Sequence, residues 1–172
     1  MKKLILGAIV ALSSISASAQ LYLGGTLGIA TQTIKVESES QTTTTFGIAP
    51  EIGYNFNDIW AIGTSVGVNT LSSEGNSSTT FVVNPYARAT FAKVGNVKFF
   101  GEAAFEYDKN SDASGWGIGI RPGLLIDLSP KVSLIGRTIL FQYTSTSSDG
   151  VTVSQTGFAI GNNLSIGVIF NL

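Results

Sequence analysis

The stretch GFAIGNNLSIGVIFNL, residues 157–172, alternates between two kinds of side chain with a period of two. One parity carries mostly large apolar residues, from Phe158 to Leu172, and the other carries mostly glycine, alanine, serine and asparagine. Period two is typical of a β-strand with two unlike faces. Because the stretch is longer than the roughly 9–11 residues that cross a bilayer obliquely, we predict that it is the closing strand of a membrane-spanning barrel.

The overall composition limits the classes of function. The chain has 172 residues, of which 44% are hydrophobic and 12% are charged, with a formal net charge of -1. This balance suits one domain and shows no basic patch, so we expect no nucleic-acid partner. The sequence contains no cysteine and no histidine. Disulfides and thiolate metal sites are therefore excluded, and we predict neither a cofactor nor a metal site.

The first 19 residues have the pattern of a secretory signal. Lys2 and Lys3 precede an apolar run over residues 4–12, and small residues follow, ending at Ala19. That run is about half the roughly 20 residues that a spanning helix needs. We predict a cleaved signal peptide over residues 1–19 and a single barrel domain over residues 20–172.

Seven further stretches repeat the alternation, so the sequence predicts eight strands. Four long Ser/Thr-rich loops are expected at residues 36–45, 71–78, 108–114 and 145–155, alternating with three-residue turns at 57–59, 94–96 and 129–131. A turn with an odd number of residues keeps the apolar parity on one face across a hairpin. This register sets Phe56 across from Trp60, Phe91 across from Phe99, and Leu128 across from Val132.

Strand seven, residues 132–144, departs from the pattern. Arg137 shares its parity with Phe141 and Tyr143, which would place a charge on the apolar face. We predict a β-bulge near Gly136, which would let Arg137 and the aromatic residues beyond it face opposite ways.

The apolar parity carries aromatic residues at both ends of the predicted strands. Two outward bands separated by aliphatic residues are the layout of the aromatic girdles of a membrane barrel. The band at the short turns comprises Phe56, Trp60, Phe91, Phe99 and Phe170, and the band at the long loops comprises Phe46, Phe81, Phe105, Tyr107, Trp116 and Phe158.

The opposite parity carries small and polar residues with few charges. The register that pairs Phe91 with Phe99 also places Arg88 directly across from Glu102. We expect a lumenal network of paired ions, comprising Arg88, Glu102, Glu51, Glu106, Arg121, Asp127 and Arg137. A soluble lipocalin-like barrel would have the same alternation with its faces exchanged, but its outer face would carry many more charges. The sequence therefore predicts an all-β fold, an eight-stranded antiparallel up-and-down transmembrane β-barrel.

These features together resemble a known family. The signal sequence, the eight alternating strands, the short turns opposite long loops and the apolar closing strand are similar to the small outer-membrane barrels of the OmpA and OmpX type. The resemblance implies the outer membrane of a Gram-negative bacterium and a monomer in contact with outer-membrane lipid and lipopolysaccharide. It also implies the barrel-assembly machinery as a partner.

Three functions of different classes remain open. The first is a non-enzymatic barrel with an envelope-structural or surface-interaction role through its loops, whose ligand is unknown. The second is a narrow porin-like channel for ions or small solutes. The third, a lipid-modifying enzyme, is disfavoured because related barrel enzymes activate a Ser or Thr with a His.

Glu102 and Glu106 would lie roughly 13 Å apart along a strand, beyond the 5–9.5 Å or so of paired-carboxylate hydrolysis. Asp108, Asn110 and Asp112 match only the start of a calcium loop.

Overall fold

The computed structural model describes residues 20–36, 39–73, 76–111, 113–148, 151–158 and 164–172, so the predicted signal peptide lies outside the described residues. The described part of the chain forms ten strands. They are β1 (Gln20–Val36), β2 (Glu39–Asn55), β3 (Trp60–Ser73), β4 (Asn76–Val94), β5 (Val97–Lys109), β6 (Ala113–Ser129), β7 (Val132–Thr138), β8 (Phe141–Ser148), β9 (Val151–Phe158) and β10 (Leu164–Asn171).

Eight of these strands close into a ring. Strands β1 to β7 pair antiparallel in chain order, β7 pairs with β10, and β10 returns to β1 through eight residue pairs from Tyr22–Asn171 to Ile29–Leu164. Strand β8 prolongs β7 beside the far half of β6, and β9 pairs with β8. The predicted eight-stranded antiparallel barrel is confirmed, and its seventh and eighth strands each consist of two segments. In the described part of the chain, no helix is both long and apolar enough to cross a membrane.

The predicted long loops are mostly strand, and that prediction was wrong. The β1–β2 ladder continues to the pair Val36–Glu39, and the β3–β4 ladder continues to Ser73–Asn76. Strand β6 begins at Ala113 and β9 begins at Val151. Threonine is β-branched and Ser/Thr pairs across strands stabilise a ladder, so polarity alone does not end a strand. The described parts of the hairpins therefore extend the barrel wall as paired strands.

The first short turn matches the prediction. The Phe56 amide donates to the Trp60 carbonyl at 2.9 Å, so Phe56 lies across from Trp60 as predicted. The Asn57 side chain accepts bonds from the amides of Ile59 and Trp60 at 2.9 and 2.8 Å. This side chain stabilises a three-residue turn.

The second turn is shorter than predicted. Val94 pairs with Val97, and the two residues between them include Gly95, whose φ of 59° suits a tight two-residue hairpin. The register shifts between Thr90 and Ala92, so Phe99 lies across from Ala92 and the predicted Phe91–Phe99 pair was wrong. The extra residue is Phe91, which a bulge leaves facing outward.

The third turn has the same correction. Ser129 pairs with Val132, and the register shifts between Asp127 and Ser129. Leu128 is therefore unpaired in the β6–β7 ladder and exposed, and the predicted Leu128–Val132 pair was wrong. A two-residue turn combined with one bulged residue keeps the apolar faces aligned as a three-residue turn would.

The irregularity in strand seven lies further along the chain than predicted. Gly136 pairs regularly with Leu124, whereas Gly123–Arg137 is followed by Ile120–Phe141, so three steps along β6 match four along the β7–β8 segment. The extra residue is accommodated between β7 and β8. It leaves Arg137 buried in the lumen and brings Phe141 opposite outward-facing Ile120.

All eleven predicted girdle aromatics are exposed on the outer face. Phe46 and Phe56 stand ten positions apart, which corresponds to roughly 33 Å along a strand. At a tilt of about 45°, this spans roughly 24 Å of membrane, close to the apolar band of about 25 Å on membrane barrels. The aromatic band at the long hairpins is called the outer aromatic band. Residues 39–45 of β2 therefore extend beyond it.

Candidate functional site

A layer of buried charge crosses the middle of the lumen, and we call it the septum. Its members come from six strands of the wall: Tyr22, Glu51, Tyr86, Arg88, Phe100, Glu102, Arg121 and Arg137. Glu102 and Arg88 are 1% and 3% exposed. Ions buried to this degree are tolerated only when they are paired and hydrogen-bonded.

Glu102 is the centre of the septum. It lies in one cross-strand row between Arg88 of β4 and Arg121 of β6, and the predicted Arg88–Glu102 register is confirmed. Arg88 Nη2 lies 2.9 Å from Glu102 Oε1, and Arg121 Nη2 lies 3.0 Å from Oε2. Arg137 Nε approaches Oε1 at 3.9 Å from the far side of the lumen. One carboxylate thus meets three guanidinium groups.

Glu51 completes the septum from β2. Arg137 Nη2 donates to both carboxylate oxygens of Glu51, at 3.1 and 2.9 Å. Arg88 Nη2 lies 4.0 Å from Glu51 Oε1. Because β2 and β7 are not neighbours in the ring, the Arg137–Glu51 contact joins separate parts of the wall across the lumen.

Three aromatic rings surround the ions. The hydroxyl groups of Tyr22 and Tyr86 are 2.8 Å apart. The Arg88 guanidinium carbon lies 4.7 Å from the ring centroid of Phe100, 5.3 Å from that of Tyr86 and 5.6 Å from that of Tyr22. Cation–π contact of this kind is strongest where water is excluded. The rings therefore stabilise Arg88 and fill the space around it.

None of these three rings is among the predicted site residues, although the sequence contains a signal for them. Each ring has a glycine directly across from it on the neighbouring strand; the pairs are Tyr22–Gly53, Tyr86–Gly63 and Phe100–Gly123. A Cβ at Gly53 or Gly123 would collide with the ring. An inward aromatic residue opposite an inward glycine thus marks a ring that lies over that glycine.

Two predicted members of the network lie apart from the septum. Glu106 accepts a hydrogen bond from Asn84 Nδ2 at 3.2 Å. Asp127 pairs instead with Lys98 at 2.8 Å and accepts a bond from Ser133 Oγ at 2.7 Å. Asp127 stands six positions from Arg121 on β6, roughly 20 Å along the strand, so it cannot join the septum. Asp127 is thus paired within the lumen, but with Lys98, which the sequence did not indicate as its partner.

The septum separates two cavities. The outer cavity, toward the long hairpins, has a volume of about 340 Å³ and is lined by residues that include Asn84, Glu106, Arg121 and Arg137. The inner cavity, toward the short turns, has a volume of about 290 Å³, and its lining includes Arg88 and Asp127. Side chains of the septum therefore form the floor of one cavity and the roof of the other.

Comparison with known families identifies this architecture. Residues 4–172 match the family model described as outer membrane protein beta-barrel domain. The chain belongs to this family. It is an integral protein of the Gram-negative outer membrane.

The fold is shared with the solved structure of a surface protein. Neisserial surface protein A superposes with a TM-score of 0.58 at 15% identity, over 90% of this chain and 99% of that one. Ail, the attachment invasion locus protein of Yersinia pestis, gives a TM-score of 0.46 at 12% identity, over 92% of this chain and 100% of that one. A comparison with curated proteins gave no match.

Membership of this family orients the barrel. Outer-membrane barrels have short periplasmic turns and longer extracellular connections. The inner cavity and the Lys98–Asp127 pair therefore lie on the periplasmic side, and the outer cavity faces the cell exterior. Among the described residues, no cluster of three or more Asp and Glu side chains is arranged to hold a metal ion.

Proposed function

We propose that this protein is a non-enzymatic outer-membrane barrel whose lumen is sealed and whose extracellular hairpins serve surface interaction or envelope integrity. The septum carries this proposal. An ion crossing the lumen would have to displace Arg88, Arg137 and Glu102, which hold one another in contacts of 2.9 to 3.9 Å. Separating these groups would leave buried charges unpaired, which is strongly unfavourable, so we expect spontaneous opening to be rare.

The extracellular hairpins support an interaction role. In the β1–β2 hairpin, residues 30–36 pair with residues 39–45 in an unbroken register beyond the outer aromatic band. The pairs Thr31–Thr44 and Thr33–Thr42 illustrate a ladder rich in hydroxyl-bearing residues. The backbone pairing carries this Ser- and Thr-rich sequence, in which Lys35, Glu37 and Glu39 are charged, away from the aromatic band, where a hydrogen-bonding partner can meet it.

A channel is the second candidate, because cavities lined partly by charged residues lie on both sides of the septum. Conductance of the refolded full chain in planar bilayers separates the two candidates. We expect the native protein to insulate and Arg88→Ala to produce discrete openings, whereas Lys98→Ala at the periplasmic rim stays silent. Steady openings of the native protein would establish the channel and contradict the sealed barrel.

The non-enzymatic part of the proposal needs its own measurement. The refolded protein is incubated with phospholipid vesicles and with lipopolysaccharide, and lipid products are followed by mass spectrometry. We expect no turnover of either lipid. Product accumulation that depends on folded protein would reassign the barrel as a lipid-modifying enzyme.

A further inference from the structure

An apolar groove lies on the outer face of β7, and we call it the β7 groove. Its volume is about 430 Å³, and its walls include Leu124 and Ile126 of β6 and Ile166 of β10. Gly136 forms the floor, since it pairs with Leu124 on one side and Ile166 on the other. A Cβ at this glycine would meet a single neighbour, Leu124 Cδ1, at 4.0 Å. The absent side chain therefore creates the groove.

The floor of the groove lies in the periplasmic half of the membrane. Val132 pairs with Phe170, a member of the aromatic band at the short turns. Gly136 stands four positions beyond Val132 on β7, roughly 13 Å along the strand. At a tilt of about 45°, this corresponds to a depth of roughly 9 Å, less than half of a hydrocarbon core of about 30 Å. At this depth, an outward-facing groove meets the acyl chains of the periplasmic leaflet.

An apolar path joins the groove to the periplasmic rim. Leu134 and Val132 lie between Gly136 and the turn, and they share its outward parity on β7. On β10, Val168 pairs with Leu134 and Phe170 pairs with Val132, so the same face stays apolar across both strands. An acyl chain can therefore run from the rim to Gly136 along one face of the wall.

A lysine stands at the rim end of this path. Lys131 is exposed in the turn between Ser129 and Val132. The Ser129 hydroxyl oxygen accepts hydrogen bonds from the amides of Lys131 and Val132, at 3.3 and 3.1 Å, and so stabilises the turn. No ion pair within the described part of the chain includes Lys131. Its ammonium group is a point charge suited to phosphate, on a stem long enough to reach the headgroup layer.

The two other lysines of the periplasmic rim belong to the lumenal side. Lys98 lines the inner cavity and pairs with Asp127. Lys93 lies directly across from Lys98, so it shares the lumenal parity. Lys131 therefore differs from both, because it adjoins the strand that carries the groove.

We propose that the β7 groove and Lys131 together bind one glycerophospholipid of the periplasmic leaflet. One acyl chain lies along β7 in the groove against Gly136, and the phosphate lies near Lys131. These two residues are five positions apart, roughly 17 Å along the strand. That distance is close to half of a hydrocarbon core of about 30 Å, the depth of one leaflet. This inference goes beyond the proposed function, and bilayer conductance does not bear on it.

Native mass spectrometry of the intact refolded protein in detergent, titrated with phosphatidylglycerol, tests the groove. We expect one lipid bound per barrel and roughly tenfold weaker binding by Gly136→Leu, which displaces about two methylene groups of the chain. Gly101→Leu is the matched control, because Gly101 also faces outward from β5 and a Cβ there meets nothing within 4 Å. Heat-modifiable gel mobility checks that both variants fold.

The phosphate contact is tested with diacylglycerol, which has the same acyl chains and no phosphate. The native barrel is expected to bind phosphatidylglycerol several-fold more tightly than diacylglycerol. Lys131→Gln should bind the two lipids equally. Lys93→Gln, which changes an exposed lysine of the same rim on the lumenal parity, should keep the native preference.

Equal binding by Gly136→Leu and Gly101→Leu would overturn the groove as the acyl-chain site. A native barrel that does not distinguish the two lipids, or an equal loss of preference in Lys131→Gln and Lys93→Gln, would overturn the phosphate contact. Two further results would assign the groove to another occupant and contradict the proposal. One is a barrel that retains lipopolysaccharide and no phospholipid, and the other is a dimer that Gly136→Leu abolishes.

Discussion

The septum and the outer cavity place the same residue type in different surroundings. Glu102 and Glu106 stand four positions apart on β5 and share its lumenal face. Glu102 contacts three guanidinium groups, whereas Glu106 accepts a bond from the Asn84 amide. The cross-strand row explains the difference, because the row of Glu102 contains Arg88 and Arg121 while Glu106 lies opposite Gly117.

The septum and the outer cavity differ in how strongly their side chains stabilise the barrel. In the septum, each carboxylate is neutralised by arginine from more than one strand, so the ions hold the wall together. In the outer cavity, Glu106 accepts its hydrogen bond from the neutral amide of Asn84. We therefore expect substitutions in the septum to lower the free energy of unfolding more than substitutions in the outer cavity.

The largest expected effect comes from Glu102→Ala. It leaves Arg88 and Arg121 without their shortest carboxylate contacts in a region closed to water, and we expect a loss of about 3–5 kcal/mol in the free energy of unfolding. Urea unfolding in lipid vesicles, followed by tryptophan fluorescence, measures this change.

The matched control is Glu106→Ala, the same substitution four positions along the strand. It removes one hydrogen bond from Asn84 and should cost about 0.5–1.5 kcal/mol. Equal losses for the two variants would show that the septum is no more stabilising than the cavity.

The next prediction concerns a charge placed on the lipid-facing side of the barrel wall. Ile120 is 45% exposed on the outer face of β6. Ile120→Arg should cost about 2–4 kcal/mol if the side chain lies near the bilayer midplane. Leu128→Arg, at the periplasmic rim of the same strand, should cost about 0–1 kcal/mol. The same urea titration measures both, and a neutral Ile120→Arg would mean that the faces are inverted.

A smaller effect concerns how tightly side chains pack in the septum and in the outer cavity. Gly53 lies against the Tyr22 ring in the septum, while Gly28 borders the outer cavity, where a Cβ meets nothing within 4 Å. Gly53→Ala should destabilise by about 1–3 kcal/mol through overpacking, because the Tyr22–Tyr86 hydrogen bond restrains the ring. Gly28→Ala should be close to neutral. Equal midpoints of urea unfolding would contradict a tightly packed septum.

The sequence was sufficient for the parts of the barrel that follow from side-chain parity. Period two identified which residues face lipid, and residue counting through the hairpin placed Arg88 across from Glu102 despite an error in the turn. That success depended on the bulge at Phe91, which compensates for the shorter turn. A three-residue turn and a two-residue turn with one bulged residue both preserve side-chain parity, so the sequence pattern cannot distinguish them.

Contacts across the lumen could not be predicted in the same way. Arg137 reaches Glu51 between strands that are not neighbours, and barrel closure, not strand pairing, brings them together. Asp127 shares the parity of the septum but lies at a different height, and parity carries no information on height. Loss of hydrophobicity predicts loops at the polar hairpins, whereas backbone pairing does not require apolar side chains and continues the strands there.

The smallest expected effect concerns the Lys98–Asp127 pair at the periplasmic rim. Its 2.8 Å separation is as short as the contacts in the septum, but its side chains are 32% and 26% exposed. Solvent screens such a pair, so Lys98→Ala should cost about 0.2–1 kcal/mol and less at high salt. Urea unfolding at low and high ionic strength measures it, with Glu102→Ala as the salt-insensitive reference. A loss as large as that of Glu102→Ala would show that burial does not distinguish the septum from the rim.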